Sequence, residues 1–281
     1  MKKIVVTGGS GKLGTWVIKD LIEHGYEVLN ADSKPPEKSL CDTIYTDLRN
    51  LGEAYGVLQD ADAFIHLAAI PVAFSFPNEV TFQNNVMSTY NILEAAAGLG
   101  IKKAVIASSE AVYGIGFSKE LHAPQYLPLD EEHPLLPEDP YGLSKVVSEK
   151  ISETIHRRTG MQIACLRFGY IHTMEMFKNY LEFNNDPWQR VRNLWNYIDV
   201  RDAASACRLS LEADALECVA LNIVADETCM NLKSQSLIST IFPKITDLRE
   251  SLGGYESLIN NKKAKNLLNW QPVHNWRDNL N

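Results

Sequence analysis

Tyr141 and Lys145 stand four residues apart in the run Tyr141-Gly-Leu-Ser-Lys145. Four apart on a helix is one face, so a phenol and an ammonium group meet over the same spot. A free tyrosine titrates at about 10 and is a poor base at neutral pH, but a fixed positive charge beside it favours the phenolate. Such a pair can take the proton of an alcohol. Tyrosine and lysine are also common surface residues, so the elements that surround this pair decide what it does.

Far upstream, Gly8, Gly11 and Gly14 lie in Thr7-Gly-Gly-Ser-Gly-Lys-Leu-Gly14, between an apolar run and a helical pattern. Their spacing is G-x-x-G-x-x-G and not the G-x-G-x-x-G of the dinucleotide fingerprint, yet the mechanics are the same. Glycine lets the backbone turn tightly and approach a pyrophosphate, whose charge sits at the N-terminus of the following helix. Asp32 ends the second apolar run, about 20 residues further on, where a carboxylate accepts from a ribose diol and repels a 2′-phosphate. NAD is therefore expected over NADP. Lys34 offers a competing positive charge, and a turn role ahead of Pro35-Pro36 is the other reading of Asp32.

Short apolar runs at 4–6, 27–31, 43–45, 63–67, 104–107 and 162–166 read as buried parallel strands. Helical patterns at 13–24, 85–99 and 141–159 separate them, and each is followed by a glycine stop, Gly25, Gly100 or Gly160. The alternation predicts an α/β fold, a Rossmann-like doubly wound parallel sheet with ligand at the carboxyl ends of its strands. Residues 1–170 are expected to form the dinucleotide-binding domain and 171–281 mainly a small substrate-binding lobe, with about 197–228 returning to complete the sheet. Two segments break the rhythm. Residues 115–140 hold five prolines and Asp130-Glu-Glu-His133; residues 174–195 carry Phe177, Tyr180, Phe183, Trp188 and Trp195 among polar neighbours. Long irregular segments in compact domains are often functional. Beyond them, 200–213 and 232–242 read as helices and 221–225 as a further strand.

A chain of 281 residues has room for a large core. Its net charge of −8 argues against a nucleic-acid surface, although Lys178, Arg190 and Arg192 can still make a local positive pocket. The five cysteines, Cys41, Cys165, Cys207, Cys218 and Cys229, are widely spaced and form no metal-ligand pattern. Free thiols, no metal, no membrane span and a cytoplasmic location are expected.

Taken together the motifs resemble the extended short-chain dehydrogenase/reductase family of nucleotide-sugar epimerases, dehydratases and sugar dehydrogenases. The likeness runs over nearly the whole chain. Residues 7–14, with Lys12 and Leu13, match the family's cofactor turn; Asp47-Leu48 match its adenine contact, and Leu67-Ala68-Ala69 the stretch after the fourth strand. Asn85-Val86 opens the family's central helix, and 108–114 resembles its catalytic serine strand. The motif at 197–202 and the tail at 264–272 are also similar. The resemblance implies Ser109 and Tyr141 as hydrogen-bond partners of the substrate oxygen, with Tyr141 as acid/base. Lys145 would bind the nicotinamide ribose and lower the Tyr141 pKa. A homodimer through the helices of Asn85 and Tyr141 is likewise implied.

The chain departs from its nucleotide-sugar relatives at two points. Dehydratases carry an acidic pair after the catalytic hydroxyl, whereas Glu110 is followed here by Ala111. The segment from Gly169 to Asn196 is short for gripping a nucleotide diphosphate. The compact plan is more similar to sugar and uronate dehydrogenases, in which Arg192 would stand near a substrate-carboxylate arginine. Glu110 and Tyr170 are expected in the same pocket; His172 is expected to pack or cap. The leading expectation is an NAD-dependent oxidoreductase acting on a hydroxyl of a sugar, sugar acid or sugar phosphate. An epimerase using transient oxidation is the alternative, followed by a non-catalytic NAD sensor.

Overall fold

The protein is described by a computed structural model over residues 1–279. Its strands are β1 (Lys3–Thr7), β2 (Glu27–Asp32), β3 (Asp42–Tyr45), β4 (Ala63–His66), β5 (Lys103–Ser109), β6 (Gln162–Phe168), β7 (Ile171–His172), β8 (Ile198–Asp199) and β9 (Cys218–Ile223). Its helices are α1 (Lys12–Glu23), α2 (Leu51–Leu58), α3 (Asn78–Leu99), α4 (Pro140–Thr159), α5 (Met174–Phe177), α6 (Tyr180–Phe183), α7 (Val200–Glu212), α8 (Ser234–Ile241) and α9 (Lys262–Leu268).

Seven strands form one parallel sheet in the order β3-β2-β1-β4-β5-β6-β9, while β7 and β8 pair separately. The fold is therefore the expected doubly wound α/β sheet. The order turns outward in both directions from the β1/β4 neighbours, which opens a crevice at the carboxyl ends there. Alternation along each strand fills both faces: Ile4, Val6, Ala164 and Leu166 pack under α1, α7 and α9, whereas Val5, Ile163 and Cys165 pack under α2, α3 and α4. A further cluster, with Phe177, Tyr180, Trp195, Tyr197, Phe242 and Trp276, forms its own core beyond the carboxyl edge.

Two of the differences from expectation concern α2 and α3. The helix expected from Asn85 begins at Asn78, because its first turns are polar and still bury Thr81. The helix α2 was not expected; Asn50 caps it by accepting from the Gly52 amide at 2.9 Å. As anticipated, residues 115–140 form no helix before α4. Leu127 and Leu129 anchor the segment in the third core through bridges to Leu248 and Ile259.

The helix α4 is fixed to the sheet by a buried ion pair. Arg167 on β6 donates from Nε and Nη2 to the two oxygens of Glu149, at 2.9 and 2.8 Å. Both side chains are nearly inaccessible, at 5% and 7% exposure. Ser108 donates to the same carboxylate at 2.6 Å, and Arg167 Nη1 donates to Tyr113 Oη and to the Glu131 carbonyl, each at 3.0 Å. Removing one partner leaves a buried charge uncompensated, so Glu149→Ala is expected to cost about 3–5 kcal/mol in urea unfolding. Glu153→Ala on the solvent side of α4, whose partners Lys150 and Arg157 are exposed, is expected to cost much less.

Candidate active site

The carboxyl ends of β1 to β5 bring the expected residues to one edge. After β1, Gly8 adopts a left-handed backbone (φ +72°), and a Cβ there would stand 2.6 Å from the Ala68 amide nitrogen. The turn therefore lies directly against the backbone at 67–68. Gly11 is the N-cap of α1; no side chain caps that end, and its first turn holds no acidic residue. Free amides aligned with the helix dipole make a site for an anion. Asp32 closes the turn from the side: its carboxylate accepts from the Ser10 and Lys34 amides at 3.0 and 3.1 Å. Lys12 leaves the turn and reaches Met176 Sδ at 3.6 Å.

The flanking positions are more structural. Asp47 is held by Arg49, whose hydrogen bond keeps the carboxyl below its usual range. Leu48 is buried, and its carbonyl accepts from Asn91 Nδ2 on α3 at 2.9 Å. Asn85 accepts from the Ile70 amide at 2.8 Å and donates to the Ile70 carbonyl and to Ser144 Oγ, at 3.1 and 3.2 Å. It thus ties the segment after Ala69 to α3 and α4 and acts on the crevice through that backbone. His66, expected only as part of a strand, links Thr7 at 2.7 Å to Thr89 at 3.2 Å; burial holds it neutral, with a pKa of about 3.

Ser109 ends β5, and its Oγ accepts from the Ala111 amide at 3.1 Å. The helix α4 starts at an Asp139 cap, which accepts from Gly142 N at 2.8 Å. Gly142 matters because a Cβ there would lie 2.7 Å from the Ala111 carbonyl oxygen. Its absence lets the first turn of α4 press against the end of β5. There the Ser109 hydroxyl lies near enough to the Tyr141 phenol to favour its ionised form. Lys145, one turn on, donates to the Ala107 carbonyl at 2.7 Å and lies 5.7 Å from the Tyr141 ring centre.

The electrostatics differ from the simple expectation for this pair. Burial pushes the Tyr141 phenol up to about 12, with Ser109 opposing and the Glu110 and Asp139 charges adding to the rise. Burial also pushes Lys145 down to about 8. Desolvation of the pair outweighs the attraction that would lower the phenol.

Beyond Ser109, Glu110 accepts from Asn193 Nδ2 at 2.5 Å and from Asn196 Nδ2. Burial raises its carboxyl to about 7 against those hydrogen bonds and the charge of Arg190. Arg190 stacks 4.1 Å from the centre of the Tyr170 ring, and its Nη2 is buried with no hydrogen-bond partner among the described residues. His172 accompanies them. It bonds Tyr180 Oη through Nδ1 at 2.9 Å, leaves Nε2 unpartnered, and is lowered to about 3 by burial and by Arg190 and Lys12. Glu110 and Tyr170 are therefore brought together, but the guanidinium among them belongs to Arg190. Arg192 is exposed and donates to the Ser118 carbonyl at 2.7 Å. Sequence named Arg190 only as part of a basic cluster; its left-handed backbone (φ +62°) turns the side chain inward, and no periodicity signals that.

The profile of the NAD dependent epimerase/dehydratase family matches residues 4–223. The chain belongs to that family. A putative UDP-glucose 4-epimerase of Methanocaldococcus jannaschii is 37% identical over 179 residues, which cover 60% of this chain and 56% of the relative. The chain spans about half the length of the first curated relatives it matches. The L-arabinose 1-dehydrogenase (NAD(P)(+)) of Haloferax volcanii is 26% identical, over 80% of this chain and 89% of its own. Among solved structures, a short-chain dehydrogenase/reductase superfamily protein from Agrobacterium tumefaciens with bound NAD superposes with a TM-score of 0.78 at 22% identity, covering 99% of this chain and 94% of that one. At that identity the likeness speaks for the fold.

The Lys145 shift carries a stability signature. Below pH of about 8 the amine is charged in both folded and unfolded protein, and the folded state bears the cost of burying it. Between about 8 and 10.5 the folded protein releases a proton that the unfolded chain keeps, so this contribution makes stability rise with pH. The cofactor-free protein is expected to gain about 3 kcal/mol across that window relative to Lys145→Met, measured by urea unfolding at successive pH values.

Proposed function

We propose that this protein is an NAD-dependent oxidoreductase that oxidises a hydroxyl-bearing carbon of a sugar, sugar acid or sugar phosphate. The observation that carries the reading is the convergence of Ser109 at the end of β5 with Tyr141 and Lys145 on the first turns of α4, at the same sheet edge as the glycine turn. That turn, the uncapped end of α1 and the Asp32 carboxylate fit a dinucleotide without a 2′-phosphate. Gly8, Gly11, Lys12, Leu13 and Gly14 would hold its pyrophosphate, Asp32 its adenosine ribose, Asp47 and Leu48 the adenine end, and Lys145 the nicotinamide ribose. When bound, NAD supplies the hydride acceptor and a cationic ring.

Ser109 and Tyr141 hydrogen-bond the substrate hydroxyl, and Tyr141 as phenolate takes its proton while hydride leaves the same carbon. The buried phenol at about 12 needs positive charge nearby to ionise near neutrality, which Lys145 and the cationic cofactor provide together. The substrate's remaining polar groups are assigned to Glu110, Tyr170 and the arginines of residues 190–192. Arg190, with an unpartnered Nη2, is better placed for a carboxylate or phosphate than Arg192. A homodimer through α3 and α4 is part of this reading, supported by exposed Val80, Met87, Tyr90 and Leu143 on those helices and testable by light scattering.

The second reading is an epimerase, favoured by the name of the 37% identical relative. NADH absorbance separates the two: a sugar converted with no net NADH overturns the dehydrogenase. Tyr141→Phe is expected to lower kcat by about 10²–10⁴-fold with NAD affinity retained; an unchanged biological activity would favour a non-catalytic sensor. Asp32→Ser is expected to raise the kcat/KM ratio for NADP over NAD by at least about tenfold, read from initial rates with each cofactor.

A further inference from the structure

Asn30 is a polar residue in an apolar setting. It lies within β2, almost wholly buried, on the face where Val28 packs into the core beneath α1. A buried amide costs free energy unless its polar atoms are matched, and a β-branched side chain suits a strand better. Its Nδ2 donates to Ser10 Oγ at 3.1 Å and to Thr43 Oγ1 at 3.2 Å. Its Oδ1 has no hydrogen-bond partner among the described residues and leaves no room for a Cβ at Gly9. What distinguishes this amide is therefore its bond to the glycine turn.

Ser10 is the next link. Its hydroxyl donates to the Lys34 carbonyl at 2.8 Å, so the lone pairs of the same oxygen are free to accept from Asn30 Nδ2. Its amide donates to Asp32 Oδ2 at 3.0 Å, and the Lys34 amide donates to Asp32 Oδ1 at 3.1 Å. Two bonds from Ser10 thus tie residues 32–34 to the glycine turn, and neither carboxylate oxygen can swing away without breaking a bond. Each oxygen still keeps a lone pair for a further donor. Asn30 sets the direction of the network. Without its donor, the Ser10 hydroxyl can take other staggered positions, in which it points away from the Lys34 carbonyl. Only the Ser10 amide would then hold the exposed Lys34 segment to the turn.

We infer that Asn30 is a positioning residue for cofactor selectivity: acting through Ser10, it holds the Asp32 carboxylate in place and keeps the Lys34 backbone clipped to the glycine turn. The inference rests on the NAD-dependent reading above and assigns part of the preference for NAD to a side chain buried beneath the turn. A fixed carboxylate repels a 2′-phosphate, whereas one that can turn away admits it and leaves the Lys34 ammonium free to approach the phosphate. The network therefore favours NAD and disfavours NADP by the same bonds.

The test reads dinucleotide binding without turnover, from the fluorescence of NADH and of NADPH titrated with the protein. Asn30→Val and Ser10→Ala are each expected to lower the NADH-over-NADPH affinity ratio by about fivefold, the loss expected for one hydrogen bond. Ser10→Thr, which keeps the hydroxyl, is expected to retain most of the ratio. In an Asp32→Ser background the first two substitutions are expected to change the ratio by less than about twofold, because a residue that acts through Asp32 then has nothing to position. Thermal unfolding of each variant reports whether the fold is intact, and Asn30→Ala replaces Asn30→Val should valine crowd the turn. A purely structural role would weaken both dinucleotides alike and leave the ratio as it was. An unchanged ratio in the folded variants, or an equal drop in the Asp32→Ser background, overturns the inference while the NAD reading stands. A wild-type protein that prefers NADPH, or binds neither dinucleotide, overturns both.

Discussion

The bidentate pair of Arg167 and Glu149 fixes where Tyr141 and Lys145 stand against the sheet. Glu149, Lys145 and Tyr141 follow one another at four-residue steps on α4, so a single face of one helix carries the clamp and both reactive groups. The charges are buried at the end of β6, where a shift of the helix would separate ions that water cannot reach. Such a pair adds little net stability, but it sharply penalises any other placement of the helix. Its other bonds extend the constraint. Ser108 joins it to the strand position beside Ser109, Tyr113 joins it to the turn after that strand, and the Glu131 carbonyl joins it to the irregular segment. Tyr113 in turn donates to Asn222 on β9 at 2.6 Å.

Burial then sets the electrostatic character of the site. The same loss of water raises Tyr141, raises Glu110 and lowers Lys145. Each shift favours the neutral form, and the charge of Glu110 adds to the rise at Tyr141. A phenol in this setting is a weak acid by itself. It becomes a useful base only when positive charge is added on its own side of the crevice, which couples proton removal to cofactor binding. His66 and His172 are kept neutral by the same cause, so neither adds a competing cation near neutral pH.

Elements with a strong period were legible in the sequence, and so was the edge on which they converge. Apolar runs and glycine stops located the seven strands of the sheet and the helices that carry Lys12, Tyr141 and Lys145. The start of α3 was hidden because its early turns are polar, and a buried Thr81 looks like a surface residue until its neighbours are known. Asn85 was legible as important but not in how it acts, because its partner Ile70 lies in a connection with no period of its own. Arg190 and Arg192 show the limit most clearly. They are two residues apart and chemically alike, yet Arg190 lies against Tyr170 while Arg192 is exposed, in a segment with left-handed backbone at Arg190, Leu194 and Trp195 that no periodicity signals.

The groups proposed to react and those proposed to surround the substrate come from different kinds of structure. Ser109, Tyr141 and Lys145 stand on a strand end and a helix that the ion pair holds rigidly. The polar wall of Glu110, Asn193, Asn196 and Arg190 is assembled largely from residues 190–196, and Phe74 and Phe117 come from two further segments without regular structure. Substitution in those segments can reshape the pocket without moving the helix, since none of their side chains enters the Arg167–Glu149 clamp. Glu110 is the point of contact between the two systems: it follows Ser109 in the chain, is held by asparagines of that wall, and its charge acts on Tyr141. A change in that wall therefore reaches Tyr141 through the charge on Glu110.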